Sequence, residues 1–154
     1  MTKSKLITSD KIKKLREETG AGIMDCRKAL ETAGGDTSRA SEILKHRYQE
    51  IAVKKAGRET AEGLVAAYIH SNGKVGAMVA LLCETDFVAR TKDFGFLAKE
   101  LAMQVAAMEP ANVKSLLAQD YIRDPKMTID ELIKKVVGKT GENIRVKEIK
   151  RIEV

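Results

Sequence analysis

The sequence predicts an α+β protein, with an N-terminal three-helix bundle followed by a core in which a small antiparallel sheet packs against helices. Three observations predict it. Apolar residues recur at spacings of three and four through residues 8–49, the period of one helical face. Two apolar runs, GLVAAYIH at 63–70 and KVGAMVALLCE at 74–84, flank Ser71-Asn72-Gly73, and Asn-Gly between such runs signals a hairpin. A longer helical stripe then follows at Phe94, Leu97, Ala98, Leu101, Ala102 and Val105.

In chain order, Thr8 or Ser9 caps a first helix with Ile12 and Leu15 on one face, and Thr19-Gly20 stops it. A second helix follows Gly20-Ala21-Gly22, carries Ile23, Cys26, Leu30 and Ala33, and stops at Gly34-Gly35. Asp36 opens a third, with Ala40, Ile43 and Leu44, running to about Gln49. The stretch QEIAVKKAGRETAEG reads as a continuing helix or a connector with a break near Gly57. The expected organisation is therefore a bundle over 1–50, a connector over 51–62 and the α+β core over 63–154.

Within the core, Thr85 and Asp86 are residue types that end a strand and open a turn or helix, so Phe87 sits at a strand-to-helix corner. The core helix ends near Glu109-Pro110. VKSLLAQ reads as a short helix and RDPK as a turn. Thr128 and Glu131 match a capping box that starts a helix through Val137. NIRVKEIKRIEV alternates imperfectly through Ile144, Val146, Ile149 and Ile152, as an edge strand protected by Arg and Lys.

Composition bounds the function. With 154 residues, 44% hydrophobic, 32% charged and two prolines, the chain is folded and helix-rich rather than disordered. Net charge is +6, and residues 1–60 hold fourteen Lys/Arg against nine Asp/Glu, so the excess is N-terminal. A basic arm of this kind meets nucleic acid or an acidic protein face, and charge alone does not separate the two. Cys26 and Cys83 belong to no CxxC or Cys/His cluster, which argues against structural zinc. The start has no apolar h-region and no stretch has the length of a membrane span, so a cytoplasmic protein with reduced thiols is expected.

Motifs for chemistry are weak. Gly138-Lys139-Thr140 resembles the end of a phosphate loop, but Ile133 stands where that loop needs glycine. Gly20-Ala21-Gly22 fails as a dinucleotide fingerprint because Asp25 occupies the third glycine position. His46 and His70 lie on different elements without a nucleophile in relation to either. Glu84, Asp86 and Asp93 read as acid/base carboxylates or, more simply, as acceptors for N–H groups at a helix start. Cys83 reads as a small hydrophobe at the strand end. By pattern alone Phe87 is a core residue beside Phe94 and Leu97.

TGAGIMDCRKAL at 19–30, KKAGRETAEG at 54–63, CETDFVAR at 83–90 and GENIRV at 141–146 together resemble the bacterial translation elongation factor Ts family, in that family's order. The resemblance implies a guanine-nucleotide exchange factor, not an enzyme, that binds elongation factor Tu, expels GDP and leaves the site open for GTP. It implies a ubiquitin-associated-like first domain and no cofactor of its own, GDP, GTP and magnesium being bound by the partner. Carried over by position, Thr85, Asp86, Phe87 and Val88 form the motif that reaches Tu near its magnesium and phosphates, with Phe87 inserted between two Tu helices. Arg16, Ile23 and Met24 match positions that contact another helix of Tu. Only one core copy is present, which resembles the short members that pair as homodimers. The competing expectation is a nucleic-acid-binding module built on the basic N-terminal helices, and no membrane role is expected.

Overall fold

The computed structural model describes residues 7–154, and the fold is α+β. The chain divides into two compact units, one up to Glu50 and the other from Ile51 to Val154.

The first unit holds α1 (Ser9–Thr19), α2 (Ile23–Thr32) and most of α3 (Thr37–Lys55). The Thr8 hydroxyl caps α1 by accepting from Lys11 N–H, and Gly20 ends it at φ 67°, a left-handed conformation that glycine adopts without a Cβ penalty. Asp36 opens α3 by accepting from Arg39 N–H at 3.0 Å. Leu15, Cys26, Leu30, Ala33, Ala40 and Leu44 of the stripes read from the sequence are buried here, joined by Tyr48, whereas Ile23 of the second stripe is exposed. The third helix passes Gln49, and of the two readings of QEIAVKKAGRETAEG the continuing helix with a break near Gly57 is the one present. No glycine or proline interrupts residues 37–56, so it continues to Lys55.

The second unit is built on a three-stranded antiparallel sheet of order β1-β2-β5, with β1 at Glu62–Ile69, β2 at Val75–Cys83 and β5 at Arg145–Glu153. The β1–β2 register runs from Glu62 opposite Cys83 to Ile69 opposite Gly76. One face turns Ala66, Ala77, Val79, Leu81, Cys83 and Val146 into the core, where α5 (Lys92–Met108) packs with Phe94, Leu97, Leu101 and Val105. A bulge between Ala80 and Leu81 opposes Ala80 to Glu148 and Leu81 to Val146. It inserts one residue into the alternation of β5, which is why the apolar spacing there reads as imperfect. The other sheet face leaves Val65, Ile69, Met78 and Ile152 exposed.

RDPK is not a turn. Asp120–Tyr121 (β3) pairs with Asp124–Thr128 (β4) as a two-stranded ribbon, so only Ile122 and Arg123 turn. The ribbon is held by polar groups of α5. Gln104 donates to Asp120 O at 3.0 Å and accepts from Ile122 N–H at 3.1 Å, while buried Glu100 accepts from the Tyr121 hydroxyl and from Arg123 Nε at 2.6 Å. A ribbon anchored by side chains from another helix has no local sequence signal. Pro125 is tolerated in it because an edge strand does not need every N–H.

Helix α6 (Val113–Ala118) precedes the ribbon, and α7 (Ile129–Thr140) follows it. The capping box is complete, with Thr128 Oγ1 accepting from Glu131 N–H and Glu131 accepting from Thr128 N–H. This helix passes Val137 and ends at Gly141, φ 74°. Gly138-Lys139-Thr140 is therefore its last turn and not a phosphate loop. Among the described residues, no helix is long and apolar enough to cross a membrane.

Candidate functional site

Two threonine caps, six residues apart, shape the corner after β2. Thr85 is extended (φ −125°, ψ 153°) and its hydroxyl accepts from Val88 N–H at 3.3 Å, opening the four-residue helix α4 (Asp86–Ala89). Thr91 is likewise extended and accepts from Phe94 N–H at 3.3 Å, opening α5. The chain is thus turned twice within a few residues. In so short a helix one residue faces inward and its neighbour outward. Val88 is 5% exposed and packs in the core, while Phe87 is 78% exposed. The core placement that pattern alone gives Phe87 is therefore incorrect. The Thr85 and Thr91 caps face it away from Phe94, which is fully buried.

Residues far along the chain hold the corner. Glu142, in the loop after α7, accepts at Oε1 from Thr85 N–H at 2.9 Å and from Glu84 N–H at 3.1 Å, and at Oε2 from the Thr85 hydroxyl at 2.7 Å. Glu84 answers by accepting from Asn143 N–H at 2.9 Å and pairing with Arg58 at 3.4 Å. The Asn143 amide donates to Arg58 O at 2.8 Å and to Ala56 O at 3.3 Å. The bond from the Asn143 N–H, only partly opposed by burial and helped by Arg58, holds the Glu84 carboxyl below the ordinary glutamate value. Burial pushes the Cys83 thiol up, and its Sγ donates to Thr85 O at 3.1 Å. Cys83 is buried as expected.

Of the expected site residues, Thr85, Asp86, Phe87 and Val88 lie together at this corner. Thr85, Asp86 and Phe87 are exposed; Val88 is an internal anchor with no surface to offer. Asp86 pairs with Arg90 at 3.1 Å with both side chains exposed, a contact worth little to stability. The carboxylates thus accept N–H groups or pair with arginines: Glu84 with Asn143 and Arg58, Asp86 with Arg90. Arg16, Ile23 and Met24 lie in the first unit, all exposed, with Ile23 and Met24 as the first two residues of α2, after Gly22. His70 contacts the Tyr68 hydroxyl at 3.1 Å through Nδ1, and His46 is exposed. Glu142, Asn143 and Arg58 were not legible as site residues. Their motifs, GENIRV and KKAGRETAEG, stand out as family signatures, but a pairing across 57 positions leaves no local pattern.

Comparison with known proteins points to one class, the translation elongation factors. The family described as Elongation factor TS matches residues 84–154. Elongation factor Ts of Thermotoga petrophila is 42% identical over 191 aligned positions, covering 96% of each chain. Elongation factor Ts of Carboxydothermus hydrogenoformans is 37% identical over 97% of this chain and 89% of that one. That of Clostridium kluyveri is 44% identical over 97% of this chain but only 49% of its own length. The chain belongs to the elongation factor Ts family. Against 154 residues here, the 191 positions aligned with the Thermotoga protein differ by 37, so that relative carries at least that many positions this chain lacks.

Proposed function

We propose that the chain is a guanine-nucleotide exchange factor, acting in the cytoplasm, that binds elongation factor Tu and drives out GDP. The observation that carries this reading is the exposed Phe87 ring on a corner fixed from both sides. An aromatic side chain at 78% exposure has no role in its own core, and its presentation by a capped, clamped turn suits insertion into a partner. Magnesium demands near-ideal octahedral geometry, so a small displacement of the Tu helices around it weakens the hold on the phosphates. No covalent bond is made or broken. The nucleotide and the magnesium belong to the partner.

Magnitudes require more than one contact. Turning a population from 1:99 to 99:1 takes about 5.5 kcal/mol of differential affinity, and burying one Phe gives roughly 1.5–3 kcal/mol. The remainder is assigned to a wider interface in which Arg16 and the exposed Ile23 and Met24 contact another part of Tu. Tu must bind GDP less tightly in the presence of this protein by the same factor that GDP weakens this protein.

The outer sheet face supports the homodimer. Val65, Ile69, Met78 and Ile152 form an exposed apolar surface, and Glu148 and Lys150 beside them on β5 give a two-fold pairing opposite charges to match. A second copy supplies contacts that longer family members make with further segments. Light scattering at micromolar concentration is the check, and a monomeric mass rejects the dimer.

The decisive experiment follows release of fluorescent GDP from purified Tu with magnesium present, comparing no addition, this protein and its Phe87→Ala variant. Acceleration that is lost on truncation, with binding retained, supports the reading. No acceleration by the folded parent protein rejects it.

A further inference from the structure

We propose that Glu142 is the positioning residue of the exchange corner, fixing the direction in which α4 presents Asp86 and Phe87. This rests on the exchange-factor reading above. A helix of four residues cannot hold its own geometry, because the cost of the first turn is not recovered over so few hydrogen bonds. Nor do its outward side chains hold it: Phe87 is bare and the Asp86–Arg90 pair is solvent-exposed. Inward, Val88 is buried, Ala89 packs partly against the same core and the Thr91 hydroxyl donates to Val88 O at 2.7 Å, which anchors the C-terminal end of α4 but leaves the direction of its N-terminal end at Thr85 free.

The Glu142 carboxylate removes that freedom. Three donors from two consecutive residues converge on it: Glu84 N–H, Thr85 N–H and the Thr85 hydroxyl. Two backbone amides bound to one oxygen set the peptide planes on either side of the Glu84 α-carbon. The hydroxyl bond to the other oxygen fixes the Thr85 rotamer, so that its lone pair meets Val88 N–H and closes the cap. The order of α4 is thus set by a residue 57 positions away. The loop carrying Glu142 is itself tied down, since Asn143 binds Glu84 through its N–H and the Ala56 and Arg58 carbonyls through its amide. Glu142 need not touch the partner to act.

The test uses the full chain with Glu142→Ala and, as an isosteric form that retains one acceptor oxygen, Glu142→Gln. Glu142→Ala is expected to lower the maximal rate of GDP release from Tu at least tenfold, while the concentration giving half that rate moves less than threefold. Glu142→Gln falls between parent and Glu142→Ala. A general loss of folded protein would instead shift the half-saturating concentration. Thr85→Val combined with Glu142→Ala should be no slower than the worse single variant, because both break the same chain of bonds.

A second reading needs no partner. Amide hydrogen exchange at Glu84 and Thr85 is expected to quicken at least tenfold in Glu142→Ala, with Leu97 and Leu101 unchanged. A full maximal rate in Glu142→Ala, or unchanged protection at Thr85, overturns the proposal. If the parent protein does not accelerate GDP release, the exchange-factor reading falls and amide exchange alone decides whether Glu142 positions the corner. Should Glu142→Ala prove unfolded by circular dichroism, the same measurements on Glu142→Gln decide it.

Discussion

Phe87 and Val88 are consecutive residues of α4 with opposite surroundings, one 78% and the other 5% exposed. The pair separates contact from anchorage within a single motif. Phe87→Ala removes no native packing, so unfolding stability should stay within about 0.5 kcal/mol of the parent. Its effect should fall on GDP release, which slows strongly while binding to Tu remains measurable. Val88→Ala empties part of the core and should cost about 2 kcal/mol of stability. Urea unfolding followed by circular dichroism distinguishes them, and a destabilised Phe87→Ala with a neutral Val88→Ala would reverse the assignment.

The Glu84 carboxyl makes the corner acid-sensitive. Its folded pKa is lowered from the ordinary 4.5, first by the hydrogen bond from Asn143 N–H and also by Arg58 and Lys55, against an opposing effect of burial. A carboxyl with a depressed folded pKa contributes stability that is fully present above the unfolded value and is lost as pH falls through the folded one. Glu84→Gln should therefore be less stable than the parent at neutral pH, with the gap closing below about pH 4.5. Melting temperatures of both proteins from pH 6 to pH 3 give the comparison, and parallel curves over that window would contradict the role assigned to Glu84.

Tyr48 carries the opposite defect. It is 4% exposed in the first unit, and among the described residues its hydroxyl has no hydrogen-bond partner. Burial, with Asp25 second, pushes its pKa up to about 12. An unsatisfied buried hydroxyl carries a desolvation penalty without a compensating bond, so Tyr48→Phe should stabilise the protein by about 1 kcal/mol. The raised folded pKa means that the neutral phenol's contribution is present below pH 10 and fades as pH rises through about 12. Thermal unfolding at pH 7 tests the first statement, and a destabilised Tyr48→Phe would imply a partner for the hydroxyl.

Local chemistry explains what was legible in the sequence. The Asn72-Gly73 hairpin, the Thr128/Glu131 capping box, the stop at Gly20 and the stripe from Phe94 to Val105 each depend on residues within a few positions of one another, and each is present. Long-range polar pairing explains what was not. The β3–β4 ribbon exists because Glu100 and Gln104 reach it from α5, and the corner is clamped from Glu142. Phe87 shows the limit most clearly, since a hydrophobic residue beside a buried valine reads as core until the caps at Thr85 and Thr91 are seen to turn it outward.

Gly63 marks the closest approach in the sheet. It lies in β1 opposite Leu82, and a Cβ added there would stand 2.0 Å from Leu81 O and 2.9 Å from Leu82 Cα. Those neighbours are backbone atoms of β2 and have no rotamer with which to move aside. Relief requires the start of β1 to lift away from β2 just where β2 leads into the corner, breaking ladder hydrogen bonds. Gly63→Ala should therefore cost about 2–3 kcal/mol. Gly57 is the control, because an added Cβ there meets nothing within 4 Å. Gly57→Ala should be neutral or stabilising by about 0.5 kcal/mol through loss of unfolded-chain freedom. The urea midpoints of the two variants should move in clearly different amounts, and equal midpoints would mean that β1 yields locally without strain.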